Sequence, residues 1–411
     1  MTNYNKFQYT FFTLIRLLSR SAIGAIGVVG IAALSLSSIA LADPLNIHGF
    51  LSSSITKTNH STPYIEAKEY TDNINYQSGT VMGLMLSKRL DSKVSFQGQL
   101  TARGAEPDKS HAYKPKFELL FIDYKLRPNI NIKVGKLIPN TYLISKHLDV
   151  GASYLWARAP VEVYETSYSF LTRVNGVELT YQKKLGDYNL RVQPYIGRLN
   201  ETLVSRTTRT VASLDSESVF GLSTELETQG FHLHAAMMFA DSIMTDGDGS
   251  LVHMPDTLIL SLGVRMERDA WMMLAEVAHV DVGKGKFDFT TSIIDDKIAL
   301  GKLETDIPPQ TGYYITIARE TNEFTPYLTL AATNATQTLS DNKLLNNIQN
   351  NFLQEQKSLS VGTRYYASNS LTLKFEYHQA EILNGTTGLF IYHPSKNEDL
   401  RLWTTSFNIL F

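Results

Sequence analysis

Between residues 45 and 411 the sequence sets out sixteen segments in which every second residue is apolar, and the connections between them are alternately short and long. Val94, Phe96, Gly98, Leu100 and Ala102 alternate with Ser95, Gln97, Gln99, Thr101 and Arg103. Leu371, Leu373, Phe375 and Tyr377 alternate in the same way with Thr372, Lys374, Glu376 and His378. A period of two gives a strand one dry face. The spacing predicts strands at 45–57, 77–88, 94–103, 116–126, 130–137, 173–183, 187–197, 217–227, 231–240, 257–267, 271–280, 311–319, 324–333, 356–366, 370–380 and 399–411. Arg89–Lys93, Arg127–Asn129, Lys184–Gly186, Thr228–Gly230, Arg268–Ala270, Glu320–Glu323 and Ala367–Asn369 read as tight turns. Long loops fall at 58–76, 104–115, 138–172, 198–216, 241–256, 281–310, 334–355 and 381–398. A soluble sandwich has no reason to alternate its connections. A closed barrel crossing a bilayer does, since turns gather on one side and loops on the other, and closure leaves no strand edge unpaired. The expected fold is therefore all-β, a 16-stranded antiparallel transmembrane barrel with short periplasmic turns and long extracellular loops.

Both ends of the chain agree with this reading. Trp403, Thr405, Phe407, Ile409 and Phe411 share one parity, so a terminal strand would carry an aromatic-rich face. That ending resembles the C-terminal signature of Gram-negative outer-membrane proteins, whose closing strand ends in Phe and is read by the barrel-insertion machinery. At the other end Lys6, Arg16 and Arg20 precede an uncharged apolar run from Ala22 to Leu41 that ends on Ala40-Leu41-Ala42. This is the layout of a cleavable signal peptide over 1–42, leaving a barrel domain over 43–411. Export to the cell outer membrane follows, with outer-membrane lipid and lipopolysaccharide as surroundings.

Composition narrows the function classes. Without residues 1–42 the chain keeps 35 of its 38 basic residues and all 40 acidic ones, a net charge of −5, so no nucleic-acid partner is expected. After residue 42 no run of apolar residues is long enough for a helical span. There is no cysteine, hence neither a disulfide nor a lipid-modified N-terminus. No nucleophile motif, zinc motif or phosphate loop occurs, so no catalytic residue, metal or cofactor is expected. His232 and His234 lie two apart on one strand and face one way, a metal pair or simply two wet-face side chains. Asp246-Gly247-Asp248-Gly249 resembles a fragment of a calcium loop but lacks its Glu, and reads as a loop tip.

The longest loop follows the fifth strand. Gly135-Lys136, Pro139, Ser145, Asp149-Val150-Gly151, Trp156, Arg158, Pro160 and Val163-Tyr164 resemble a segment of porin-like proteins from marine gammaproteobacteria. General layout resembles the bacterial porins across the whole of 43–411. That resemblance implies a 16-stranded porin, usually a homotrimer, whose loop after strand five folds inward as a constriction. Lys136, Lys146, His147, Asp149, Arg158 and Glu162 are then the pore-lining candidates. The residues themselves leave two placements open: the apolar half of the loop, with Leu143, Leu155 and Trp156, suits folding against a wall or packing over the mouth or a neighbouring subunit.

Wall charges follow from parity, because an Arg or Lys facing lipid at mid-membrane costs about 2–4 kcal/mol. Arg103, Lys133, Arg191, Arg265, Arg319, Arg364 and Lys374 are expected inward, with Asp123, Glu178, Glu276 and Glu376. Seven basic against four acidic positions lean toward anions unless the charges pair across the barrel. Strand 116–126 gives no facing, since Leu119 and Phe121 share parity with Asp123. The expected function is a water-filled channel for passive diffusion of small hydrophilic solutes or ions, and not an enzyme. The alternatives are a structural or adhesive barrel without an open pore, or an outer-membrane barrel enzyme.

Overall fold

The computed structural model describes residues 44–66, 68–165, 173–205, 210–247, 249–289, 293–294, 297–298, 301–336, 346, 349–350, 352–394 and 398–411. The expected signal peptide lies outside them. In chain order the elements are β1 (Asn46–Thr58), β2 (Val81–Arg89), β3 (Val94–Arg103), β4 (Lys116–Arg127), β5 (Ile130–Leu137), a one-turn helix α1 (Val161–Tyr164), β6 (Val174–Leu185) and β7 (Tyr188–Val204). There follow β8 (Val211–Thr228), β9 (Phe231–Thr245), β10 (Leu251–Arg268), β11 (Trp271–Asp281) and four short loop strands, β12 (Lys284–Phe289), β13 (Ile293–Ile294), β14 (Lys297–Ile298) and β15 (Gly301–Asp306). The last five are β16 (Gln310–Arg319), β17 (Phe324–Ala335), β18 (Gln356–Tyr366), β19 (Leu371–Ile382) and β20 (Leu400–Leu410).

Strands β1 to β11 and β16 to β20 pair each with the next, antiparallel, and β1 also pairs with β20, from Phe50↔Leu410 to Thr58↔Leu402. The result is a closed 16-stranded antiparallel barrel. Turn chemistry sets the hairpin register at one end. Gly186 (φ 61°) and Gly230 (φ 72°) take left-handed conformations that tight turns require. At the first turn the Asp91 carboxylate accepts the N–H groups of Lys93 (2.6 Å) and Val94 (2.8 Å), which also lowers its proton affinity.

The outer face carries the dry parity. Ile47, Met82, Leu84, Ile122, Val134, Leu262, Ile315, Leu330, Val361, Phe375 and Phe407 are all exposed. Trp403, Ile409 and Phe411 lie on this face as the alternation of the last strand predicts. Aromatic residues cluster toward the turn end, where Phe231, Trp271 and Phe324 open their strands.

Three local expectations change. Loops 198–216 and 241–256 are mostly strand: β7 to β10 run 15 to 18 residues and rise past the other strands, where about 9–11 suffice to cross a bilayer. Loop 281–310 carries β12 and β15, which extend the wall next to β10. Strand 77–88 starts only at Val81, because Asn75 folds the preceding residues into a turn whose carboxamide accepts the N–H groups of Gln77 and Ser78. The ambiguous strand 116–126 is explained by a bulge. Gln99 pairs with Leu119 and Leu100 with Phe117, so Glu118 is an extra residue and parity slips there. Beyond it Phe121 is buried beneath the Lys133 ammonium and Asp123 bonds the inward Asn131, so both face the lumen.

Candidate functional site: a loop folded into the lumen

The segment from Ile138 to Glu165 touches the wall on nearly every side. Asp149 accepts from Gln99 and Arg103 of β3 (3.3 and 2.5 Å), and Lys146 donates to Gln193 of β7 (3.1 Å). Asn140 donates to Glu225 of β8 (2.8 Å), and the Thr141 carbonyl accepts from Ser261 of β10 (2.5 Å). Trp156 Nε1 donates to Thr316 of β16 (2.9 Å) and Thr329 of β17 (3.1 Å). Gln356 of β18 donates to Glu162 (2.8 Å), and Gly151 N donates to Ser52 of β1 (2.9 Å). One segment reaches strands on opposite sides of a closed barrel only from inside it. The loop after the fifth barrel strand is folded into the lumen.

Three buried anchors hold it there. Lys374 of β19 is fully buried and donates to the carbonyls of Gly151 (2.5 Å), Tyr154 (2.6 Å) and Trp156 (2.8 Å), with its ammonium 4.2 Å from the Tyr154 ring. Glu276 of β11 accepts from Leu143 N (2.8 Å) and from the hydroxyls of Tyr164 and Tyr314 (3.2 Å to Tyr314). Arg158 meets Glu376 of β19 (3.4 Å), whose other oxygen accepts from Tyr327 (2.7 Å). Each buried charge thus has partners, without which burial would cost several kcal/mol.

The loop divides the lumen. On the side of β7 to β11, β16 and β17 the inner wall sets apolar side chains among the polar anchors just named. Leu199, Leu214, Met238, Ile259, Leu274 and Tyr314 pack with Tyr142, Leu155, Trp156 and Val163 of the loop in one buried cluster. On the side of β1, β3 and β20 a cavity of about 310 Å³ remains above the loop, bounded by Ser52, Ser54, Thr404, Ser406, Asn408, Arg103 and Asp149. Residues 59–66 and 68–80, with residues near 389, cap it. Tyr64, Ile65, Tyr70, Leu389 and Phe390 form a second buried cluster with Val161. Lys68 of that cap is ion-paired with Glu165; burial works against its charge, but the carboxylate prevails and raises its affinity for a proton.

The wall candidates mostly face inward, as pairs. Lys133 binds Glu178 (2.7 Å), Arg191 binds Glu225 (2.6 Å), and Arg103 is shared between Glu118 and Asp149. Arg265 shares the inward parity of Ser261 and binds Glu267 (Nε to Oε1 2.7 Å) at the turn end. Arg364 lies inward over the Tyr366 ring (4.6 Å). His147 stands exposed to the lumen, while Glu162 on α1 is buried. Two expectations are corrected. Arg319 has the outward parity of Ile315 and Ile317 and lies 5.4 Å from the Trp271 ring. It ends β16 beside a tight turn, where a lipid-side charge costs only about 0–1 kcal/mol. Lys136 is still on β5, not in the loop. It has the outward parity of Val134 and donates to the Phe117 carbonyl (2.9 Å) at the rim.

Sequence reasoning missed Glu118, Glu225, Asn140 and Tyr327. Glu225 shares parity with Gly221 and Ser223 and was legible as an inward acid; Glu118 was hidden by the bulge. His232 meets Glu225 (3.4 Å), while His234 sits between Asn140 (3.4 Å) and Ser261 (3.4 Å). Among the described residues no cluster of three His, Cys, Asp or Glu gathers that could hold a metal.

No family model matches the sequence, and no curated protein does. Solved structures match in shape. The outer membrane channel DcaP of Acinetobacter baumannii superposes with a TM-score of 0.55 at 13% identity, over 92% of this chain and 99% of that one. The fold is porin-like. Salmonella typhi OmpF, solved with daunomycin, matches at 0.53 and 12% identity over 90% and 100% of the chains. An anion-selective porin from Comamonas acidovorans matches at 0.52 and 11% over 90% and 99%. At such identities the shared property is the porin fold.

Proposed function

We propose that this chain is a passive outer-membrane channel for small hydrophilic solutes, and not an enzyme. One observation carries the reading: the loop packs against one side of the lumen around a buried apolar cluster and leaves a cavity along β1, β3 and β20, whose β1 and β20 wall is made of hydroxyl and carboxamide groups. A barrel that served only as a scaffold would have no need to leave a cavity on that side. Solute moves down its own gradient, and the loop sets the cross-section it must pass. The tight turns belong to the periplasmic side and the long loops to the exterior. Residues 1–42 act as a cleaved signal peptide, and the barrel assembles as a homotrimer in lipid and lipopolysaccharide with help from the insertion machinery. The resemblance to porins supports these last assignments.

Planar-bilayer recording with pure refolded protein tests the reading. Discrete, ohmic conductance steps are expected. A folded barrel, verified by its strand circular dichroism, that gives no steps at any voltage would overturn it.

A further inference from the structure

We infer that the passage selects neutral polyhydroxylated solutes, such as small saccharides and polyols, over ions of either sign. This rests on the channel reading and names its substrate class. Two independent features of the cavity carry it.

The first is the state of its charges. The basic side chains that line it among the described residues are Lys68, Arg103, Arg158 and Arg173. Each is already held by a carboxylate: Lys68 by Glu165, Arg103 by Asp149 and Glu118, Arg158 by Glu376, and Arg173 by Glu118. A passing anion finds no unshared cation, and to win one it must displace a carboxylate that is itself partly buried. At Asp149 and Glu165 a passing cation meets the same barrier in reverse. The charged groups therefore present fixed dipoles instead of a field of one sign, and dipoles of that kind hydrogen-bond hydroxyl groups without preferring an ion.

The second is the opposite wall. Ser52 and Ser54 of β1 face inward beside Thr404, Ser406 and Asn408 of β20, a strip of hydroxyl and carboxamide groups with no charge in it. A hydroxyl both donates and accepts, so such a strip can exchange bonds with successive hydroxyls of a polyol whatever their orientation. The Tyr154 ring lines the same space from the loop and offers a flat surface to the C–H face of a sugar. At about 310 Å³ the cavity is at the small end of ligand pockets, which span roughly 300–1,000 Å³, and suits one or two sugar rings.

The experiment compares three solutes with one six-carbon skeleton and different charge: sorbitol, gluconate and N-methylglucamine. Uptake of each, radiolabelled, is measured into proteoliposomes holding the intact protein, alongside conductance in potassium chloride. Sorbitol is expected to enter several-fold faster than either ion. In Asp149→Asn, which removes the carboxylate that Arg103 holds on the loop side and leaves it only Glu118, gluconate should gain on sorbitol by several-fold. Conductance with gluconate or N-methylglucamine entering as fast as sorbitol would overturn the inference and leave the channel reading standing. So would an Asp149→Asn protein with unchanged ratios. Absence of both conductance and uptake would overturn the channel reading itself, and the inference with it.

Discussion

Lys374 is the residue on which the placement of the loop turns. Its three hydrogen bonds all go to backbone carbonyls of one segment, Gly151, Tyr154 and Trp156, so no side-chain change in the loop can replace it. In Lys374→Met the stem is kept and the donors are lost. Each buried carbonyl left without a donor costs about 1–3 kcal/mol, a cost the loop can relieve by lifting into water. The barrel should persist, while single-channel current becomes noisier and proteases gain access near residues 151–156. A quiet, protected Lys374→Met channel would show that the anchor lies elsewhere. Glu162 makes a different prediction. Burial raises its affinity for a proton, although bonds from Ser358 and Gln356 and the nearby Arg158 work against that. A carboxyl with a raised folded-state pKa stabilises the fold most when protonated, and that contribution is lost as pH rises through the raised value. Glu162→Gln mimics the protonated form. At neutral pH its melting temperature should equal or exceed that of the parent, and the difference should vanish below the ordinary carboxylate range. A variant less stable at neutral pH would contradict the assignment.

At the scale of elements, the loop and the apolar half-wall are one packing unit. Trp156 is its centre, 1% exposed, edge-on to Tyr314 with ring centroids 5.3 Å apart. Trp156→Ala should cost about 3–5 kcal/mol and leave the Thr316 and Thr329 hydroxyls facing a void. Because Trp156 sits in the packed cluster and does not line the cavity, conductance should change little while thermal resistance falls. A large rise in conductance with unchanged melting would mean that the two halves are not separate. This division explains what the sequence could not say. Alternation is clean where only the outer face is apolar, as at Val94–Arg103, and those strands were legible within a residue. On β8 and β9 the inner positions Leu214, Val219 and Met238 are apolar too, and their partners lie in a loop about 50 or more residues away along the chain. Period two reports which residues share a face, not what covers it. For the same reason the apolar half of the loop was read without knowing whether it met the lumen or the mouth. Charges at the ends of strands, Arg319 and Lys136, escaped the inward rule because its energetic force fades toward the membrane surface.

Closure is a property of the whole molecule, and one seam decides it. β1 and β20 are the most distant strands in sequence, so joining them carries the largest loop-closure cost. The aromatic parity of the last strand, visible in the sequence, supplies a lipid-facing band for that seam, but the structure adds a contact no periodicity contains. Gly49 and Phe411 exchange backbone bonds, Gly49 N to Phe411 O at 2.6 Å and Phe411 N to Gly49 O at 3.0 Å. The Phe411 ring lies across Gly49, where an added Cβ would come within 2.1 Å of a ring carbon. Gly49→Val therefore has to push the ring off the seam. Ser53, on the same outward face and paired with Phe407, already has a side chain, so Ser53→Val, which gives up one hydroxyl bond with Thr80 (2.8 Å) but meets no ring, is the control. Folding into detergent should be slower for Gly49→Val, and its heat-resistant band on gels should be lost at lower temperature, with Ser53→Val close to the parent. Gly49→Val combined with Phe411→Ala removes the clash and should recover part of the loss. Equal behaviour of Gly49→Val and Ser53→Val would mean that the seam is held by its backbone ladder alone, and that the terminal ring contributes nothing to closing the barrel.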